Sequence, residues 1–230
     1  MKQALAQSAT GIIAEFKRHS PSKGWIHPEA DPAKICPAYE RAGAAALSVL
    51  AEETYFKGGL ADLQAARACV RLPVLCKDFI VEPYQLWQAR RAGADAVLLI
   101  AACLTGEECR QLAREAHAWG MEVLLEVHSA AELAAVNEYI DLLGVNNRDL
   151  QSFRTDVRQS FDLAAQGLPE DVLWISESGI HSPVVARQLL DAGFSGLLIG
   201  ETFMRAPRPG EALRGFIHQM TDGDGQSVLD

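Results

Sequence analysis

The sequence predicts an eight-stranded parallel barrel wrapped in helices, the (β/α)8 or TIM barrel, and two observations carry that prediction. The first is a repeat: Arg41-Ala-Gly-Ala-Ala-Ala-Leu-Ser-Val-Leu50, Arg91-Ala-Gly-Ala-Asp-Ala-Val-Leu-Leu-Ile100 and Asp191-Ala-Gly-Phe-Ser-Gly-Leu-Leu-Ile-Gly200. Each is a helix end stopped by a glycine, where a positive φ is wanted, and then an apolar run without alternation, as in a parallel strand covered on both faces. The second is spacing. The repeats begin at residues 41, 91 and 191, hence 50 and then 100 residues apart. If 50 residues hold two strand-helix units, each unit takes about 25, and 230 residues hold eight with a short tail.

Strands are expected at Gly11–Phe16, Ala46–Leu50, Val74–Cys76, Ala96–Ile100, Glu122–Val127, Leu142–Val145, Leu173–Ser176 and Gly196–Ile199. Helical segments fill the gaps. The clearest is Gly106–Trp119, which Thr105 can cap and which carries Glu107 and Glu108 near its positive end. Pro28, Pro83 and Pro183 stand beside helix starts or in loops, where a missing N–H costs least. No linker interrupts the pattern, so residues 1–220 are expected to form one barrel domain and the polar tail 221–230 to fray.

Composition narrows the function classes. A single domain of 230 residues buries roughly 70% of its unfolded surface and needs no staple to hold a core. The longest apolar run, Ala96 to Leu104, falls far short of the roughly 20 residues that span a bilayer. The first ten residues lack the apolar stretch of a secretory signal, so a soluble cytoplasmic protein is expected. Cys36, Cys69, Cys76, Cys103 and Cys109 form no CxxC pair or metal-like cluster and are expected to be buried free thiols. A net charge of −9 disfavours nucleic acid as a partner but not a small anion held in a local positive site.

In this fold chemistry sits where strands end. Ile12-Ile13-Ala14-Glu15-Phe16-Lys17 places two opposite charges on one face of a strand, because positions i and i+2 point the same way. Lys77 follows Val74-Leu75-Cys76, Glu126 follows Leu124-Leu125, Glu177 follows Ile175-Ser176, and Asn146 and Arg148 follow Leu143-Gly144-Val145. One charge after a strand usually begins a solvated loop. Several converging from different strands persist only when paired or functional. Gly179 and Gly200, after the seventh and eighth strands, let an anion approach backbone N–H groups, the usual phosphate site of such barrels.

Ile12-Ile13-Ala14-Glu15-Phe16-Lys17-Arg18-His19-Ser20-Pro21-Ser22-Lys23-Gly24 closely resembles the first-strand signature of the indole-3-glycerol phosphate synthases. The resemblance continues in order through Leu47–Leu50 with Glu53-Thr54-Tyr55-Phe56, Lys77-Asp78-Phe79-Ile80, Val97–Ile100, Glu126-Val127-His128, Asn146-Asn147-Arg148-Asp149-Leu150, Glu177-Ser178-Gly179-Ile180 and Ile199-Gly200-Glu201. It implies a phosphorylated substrate, carboxyphenylamino-deoxyribulose 5-phosphate, whose indole ring closes with loss of CO₂ and water in tryptophan biosynthesis. No cofactor or metal is implied, and the expected partner is that small molecule, not nucleic acid or membrane, on a monomer or weak oligomer. Lys77 matches the family's general acid. Lys17 and Glu126 match the groups that move protons in the dehydration, Glu15 the partner that orients Lys17, and Asn146 and Glu177 positions that bind hydroxyls and stabilise developing charge. The resemblance places the phosphate near Lys17, Ser20, Ser178, Gly179, Gly200 and Glu201, where only the backbone N–H of Glu201 helps because its carboxylate repels the anion. Phe56, Phe79 and Leu98 line the slot for the aromatic ring, and Arg148 suits the substrate carboxylate or an ion pair equally well. His19, His27 and His128 match no catalytic role and are expected to be partly exposed loop residues.

Family members usually carry several dozen residues before the first strand, forming a helix over the barrel mouth; here the first strand begins by Gly11, so that helix is expected to be lacking. A related phosphosugar isomerase shares the fold and phosphate site but not the set Lys17, Lys77, Glu126 and Glu177. An idle phosphosugar-binding barrel is disfavoured because every catalytic side chain is present.

Overall fold

A computed structural model describes residues 1–149, 152–167, 169 and 171–222. Eight strands close into one parallel barrel: β1 (Ile12–Phe16), β2 (Ala46–Leu50), β3 (Val74–Lys77), β4 (Ala96–Ile100), β5 (Glu122–Val127), β6 (Leu142–Asn146), β7 (Leu173–Glu177) and β8 (Gly196–Ile199). Three strands run one residue beyond the expected ends, to Lys77, Asn146 and Glu177. The apolar pattern stops there, but ladder bonding belongs to the backbone, and Lys77 still pairs with Leu50 and Asn146 with Glu177. Lys77, Asn146 and Glu177 are therefore held by the sheet itself, not by loops.

The helices that return the chain are α2 (Pro32–Ala42), α3 (Leu60–Cys69), α4 (Pro83–Ala92), α5 (Gly106–Ala118), α6 (Arg158–Ala164), α7 (Pro183–Asp191), α8 (Glu201–Met204) and α9 (Pro209–Thr221). The three repeated glycines, Gly43, Gly93 and Gly193, have φ of +100°, +95° and +104°, as the repeat requires. Thr105 and Glu108 form a capping box at the start of α5. One expected helix is absent: residues 128–141, the shortest of the connections, return from β5 to β6 through a 3₁₀ turn at Ala130–Ala135. The chain there is too short for a full helical layer. The tail from residue 223 lies outside the described residues, and Thr221 itself closes α9.

Side chains alternate across the barrel wall. Ile13, Leu75, Leu98, Leu124, Leu142, Ile175 and Leu198 fill the interior, while the residues between them pack outward against the helices. Further along the strands the interior turns polar, with Glu15, Lys77, Glu126 and Glu177 two positions on and Asn146 four beyond Leu142. A short helix that the sequence pattern does not announce, α1 (Lys2–Ala6), closes the opposite end: Leu5 and Met1 join the interior cluster, and Leu5 lies beside Gly196 at the start of β8. Among the described residues, this apolar closure lies at the end of the barrel opposite the polar layer.

The cysteines divide. Cys36, Cys76 and Cys109 are buried, and burial pushes their thiols up to about 12, about 12 and about 11, which leaves them inert. Cys69 and Cys103 are exposed, contrary to expectation, because one ends α3 and the other sits in a 3₁₀ turn, Ala101–Cys103, just past β4. Among the described residues no helix is long and apolar enough to cross a membrane.

Gly11 enters β1 at φ +60°, and a Cβ there would stand 2.4 Å from the carbonyl oxygen of Ser195. Because that atom is backbone in a closed barrel, relief requires moving β8. Gly11→Ala is expected to cost at least about 2 kcal/mol in denaturant unfolding; an unchanged midpoint would show that the barrel seam yields easily.

Candidate active site

The polar layer at the top of the barrel is organised around one ammonium. Lys77 Nζ lies 2.9 Å from Glu126 Oε2 and 2.7 Å from Glu177 Oε2, so the ends of β5 and β7 are tied through the end of β3. Asn146, from β6, donates its amide to the other Glu126 oxygen at 3.0 Å. The second oxygen of Glu177 is buried without a partner, pressed against Gly144, where a Cβ would stand only 2.1 Å away. Glycine at 144 is thus what lets the Glu177 carboxylate lie inside the barrel. A second pair stands beside this cluster: Lys17 Nζ is 2.6 Å from Glu15 Oε1, and Ser48 Oγ donates to Glu15 Oε2 at 3.3 Å. Gly200 makes room for Glu15 as Gly144 does for Glu177, a Cβ there falling 2.5 Å from Glu15 Oε1.

Burial and partners pull these groups in opposite directions. Burial alone would push the Lys77 ammonium down, but Glu126 and Glu177 outweigh it and the net movement is up, so Lys77 stays charged. Burial likewise pushes Glu126 up, and Lys77, His128 and the Asn146 amide together reverse it, leaving Glu126 ionised. Glu177 has no such helpers: burial, Glu126 and Glu15 outweigh its contact with Lys77 and raise it to about 7. Two carboxylates sharing one cation therefore part company, one ionised and one poised to hold a proton.

Above this layer opens a cavity of about 410 Å³. Leu98, Ile100 and Leu198 form its apolar floor, and Phe56 and Phe79 stand on its walls. Glu15, Lys17, Lys77, Glu126, Asn146, Arg148 and Glu177 all line it, as do Ser178, Gly179, Gly200 and Glu201 on the side of β7 and β8. Ser20 does not. It is buried away from the cavity, its hydroxyl without a partner, because the chain turns back there into a small hairpin pairing His19–Ser20 with Gly24–Trp25.

Arg148 takes the ion-pair alternative in this structure. Its Nη1 donates to Ser22 Oγ at 2.9 Å, and its Nη2 lies 3.7 Å from Glu201 Oε2. Arg205 meets the other Glu201 oxygen at 2.8 Å. The carboxylate that would repel a phosphate is thus held between two guanidinium groups.

Asn147 is the residue that sequence reasoning missed. Its side-chain amide donates to Ser176 Oγ at 3.0 Å and to the carbonyls of Glu177 at 2.9 Å and Ser178 at 3.0 Å. Its own oxygen accepts from the N–H and hydroxyl of Ser160. Ser178 has φ +67°, a conformation that costs a non-glycine residue about 1 kcal/mol or more and persists only when its surroundings impose it. Asn147 imposes it. The only sequence signal was its place in the doubled Asn146-Asn147. His27 is a half-buried loop residue as expected and His19, also half-buried, lies in the small hairpin instead of a loop, both bonded to backbone carbonyls, whereas His128 has both ring nitrogens buried beside Glu126.

The raised Glu177 carboxyl has a consequence for stability. A folded-state value of about 7 against an ordinary 4.5 means that its contribution is fully present below about 4.5 and is lost as pH rises through about 7. Gln mimics the neutral acid at every pH. The melting temperature of Glu177→Gln relative to the unchanged chain should therefore rise between about pH 5 and about pH 8; a difference independent of pH would contradict the assignment.

Comparison with known proteins places this geometry. Residues 1–216 match the family model for indole-3-glycerol phosphate synthase. The chain is 58% identical over 217 residues to the indole-3-glycerol phosphate synthase of Bacteroides thetaiotaomicron, covering 94% of this chain and 83% of that protein. It is 45% identical over 218 residues to the enzyme of the same name from Carboxydothermus hydrogenoformans, covering 93% and 83%. Among solved structures, a mutant tryptophan synthase α-subunit from Pyrococcus furiosus superposes with a TM-score of 0.69 at 13% identity, covering 92% of this chain and 98% of that one, a likeness of fold alone. The chain belongs to the indole-3-glycerol phosphate synthase family.

Proposed function

We propose that this chain closes the indole ring of 1-(2-carboxyphenylamino)-1-deoxy-D-ribulose 5-phosphate, releasing CO₂ and water and forming indole-3-glycerol phosphate for tryptophan biosynthesis in the cytoplasm. It is a carboxy-lyase. The observation that carries the reading is the Lys77 ammonium, held charged between two buried carboxylates over an apolar floor wide enough for an aromatic ring.

The aryl carbon bearing the carboxylate attacks the ribulose carbonyl, and negative charge grows on that oxygen. Lys77 supplies the proton. Its raised proton affinity guarantees the donor form at working pH, and the transfer proceeds because the oxygen becomes an alkoxide as the new bond forms. Such an acid contributes about 10²- to 10⁴-fold. The carbon–carbon bond to the carboxylate then breaks, CO₂ departs, and its electron pair restores the aromatic ring. Finally the hydroxyl leaves as water with a second proton, and the methylene next to nitrogen gives one up. Lys17, oriented by Glu15, and Glu126 are the groups placed for these two transfers. Asn146 and Glu177 bind the sugar hydroxyls. With the carboxylate leaving as neutral CO₂, each turnover takes two protons and returns one, so one proton must come from outside.

Phe56, Phe79 and Leu98 bracket the aromatic ring. The phosphate lies on the backbone N–H groups around Ser178, Gly179, Gly200 and Glu201, and Arg148 and Arg205 offset the Glu201 charge beside it. Arg148 remains within reach of the substrate carboxylate once it leaves Glu201.

Mixing the purified chain with the named substrate should produce indole absorbance and fluorescence; absence of any indole product would overturn the reading. Lys77→Met should lower turnover by at least about 10²-fold. Near-normal turnover in that variant would remove Lys77 from the chemistry.

A further inference from the structure

His128 follows β5 two positions after Glu126, so both side chains leave the strand on the same side. Its Nε2 is 3.4 Å from Glu126 Oε1, and its Nδ1 is 3.6 Å from Glu132 Oε2. The imidazole stands between two carboxylates that face opposite ways: Glu126 is 4% exposed and lines the substrate cavity, while Glu132 is 25% exposed. Neither ring nitrogen has a hydrogen-bond partner, and both are buried. Among the described residues nothing uses this ring as a donor or acceptor, yet both its polar atoms lie near acids.

The residue is also held at a boundary. Glu132 accepts from the His128 N–H at 2.8 Å, and Gln159 of α6 donates to the carbonyls of both His128 and Asn146. Behind it lies a second, solvent-open cavity of about 590 Å³, to which His128 contributes together with Asp156, Arg158, Gln159 and Asp162. The groups that bear on the ring are therefore Glu126 from β5, Glu132 from the 3₁₀ turn, Asp156, Arg158 and Asp162 from the segment around α6, and Cys103, whose thiol senses both glutamates. Lys77 sits one step further, on the other oxygen of Glu126.

Resting on the reaction proposed above, which consumes one external proton per turnover, we propose that His128 is the route by which this proton enters the buried cluster from solvent, with the partly exposed Glu132 as its outer station. With substrate filling the mouth, solvent reaches the carboxylates poorly from above. The protonated ring gives its Nε2 proton to a Glu126 oxygen: the N–H bond breaks, the O–H bond forms, and the ring becomes neutral. Water or a buffer acid reaching Glu132, which is partly exposed, then returns a proton to the ring through Nδ1. Imidazole suits the task because its two nitrogens let one take up a proton on one side while the other gives one up on the other. His128 is in these terms a proton-supplying and positioning residue for Glu126, not a group that touches substrate.

The test compares the unchanged chain with His128→Gln, His128→Ala and Glu132→Gln in the indole-forming assay, reading kcat, KM, the solvent deuterium isotope effect and the pH profile. His128→Gln should lower kcat by about tenfold with KM within about twofold, enlarge the solvent isotope effect and weaken the dependence of kcat on pH. Added imidazole should restore kcat in His128→Ala in a saturable manner. Glu132→Gln leaves the ring packing intact and should show the same signature in weaker form, about threefold. If the unchanged chain is active but kcat and the isotope effect are the same in His128→Gln, the proposal fails. It fails equally if the variants lose activity through a lowered melting temperature or a raised KM with no rescue by imidazole. Failure of the unchanged chain to form indole would instead strike the reaction itself, so the two failures are distinct.

Discussion

One buried ammonium holding two carboxylates is the constraint on which the rest of this structure depends. Lys77 ties β3 to β5 and β7 at the barrel's top, with distances of 2.9 and 2.7 Å. Desolvating three charges for one shared contact is costly, and apolar residues of the same volume would hold a barrel together as well or better. The cluster survives because its surroundings are shaped for it. Gly144 leaves a space that Glu177 fills, Asn146 satisfies the second oxygen of Glu126, and the closed bottom keeps water from the interior. Low polarity around the cluster is also what makes each charge count in catalysis.

The asymmetry of the two carboxylates follows from their neighbours. Glu126 has an amide and a histidine on its far side, whereas the far oxygen of Glu177, beside Gly144, has no hydrogen-bond partner among the described residues. Two acids of the same type, on strands two apart, are driven to opposite protonation states without any difference in their distance to solvent. The phosphate side obeys a separate logic. There backbone N–H groups are presented by Ser178 and Gly179, and the strained Ser178 is held by Asn147, itself anchored on Ser160 and Ser176. Chemistry and anion binding are thus supported by different buried networks that meet at Glu177.

Much of this was legible in the sequence, for physical reasons. The glycine-stopped helices announced the barrel because a positive φ and a strand buried on both faces leave strong residue signatures at Gly43, Gly93 and Gly193. The charged strand ends were legible because Lys77, Glu126 and Glu177 interrupt apolar runs, where a charge needs a reason. What escaped depends on contacts between distant segments. The helix α1 is too short for periodicity to reveal, and its role comes from Leu5 meeting β8. Ser20 matched a family position, yet the hairpin at His19–Trp25 turns it inward. Cys69 and Cys103 show that thiol burial is decided by which face of a turn or helix end carries the residue. Asn147 and His128 sit among ordinary motif residues, and only their partners, 13 to 31 positions away in the case of Asn147, reveal what they hold.

The central claim, that two carboxylates sharing the Lys77 ammonium are driven apart in proton affinity by their other neighbours, is tested most directly by carbon-13 NMR titration of the protein with labelled glutamate side chains. The account predicts that one buried carboxyl titrates at about 7 and is Glu177, that Glu126 stays ionised below the ordinary carboxylate range, and that removing the Lys77 ammonium moves both upward. Two carboxyls titrating together in the ordinary range, indifferent to Lys77, would contradict it.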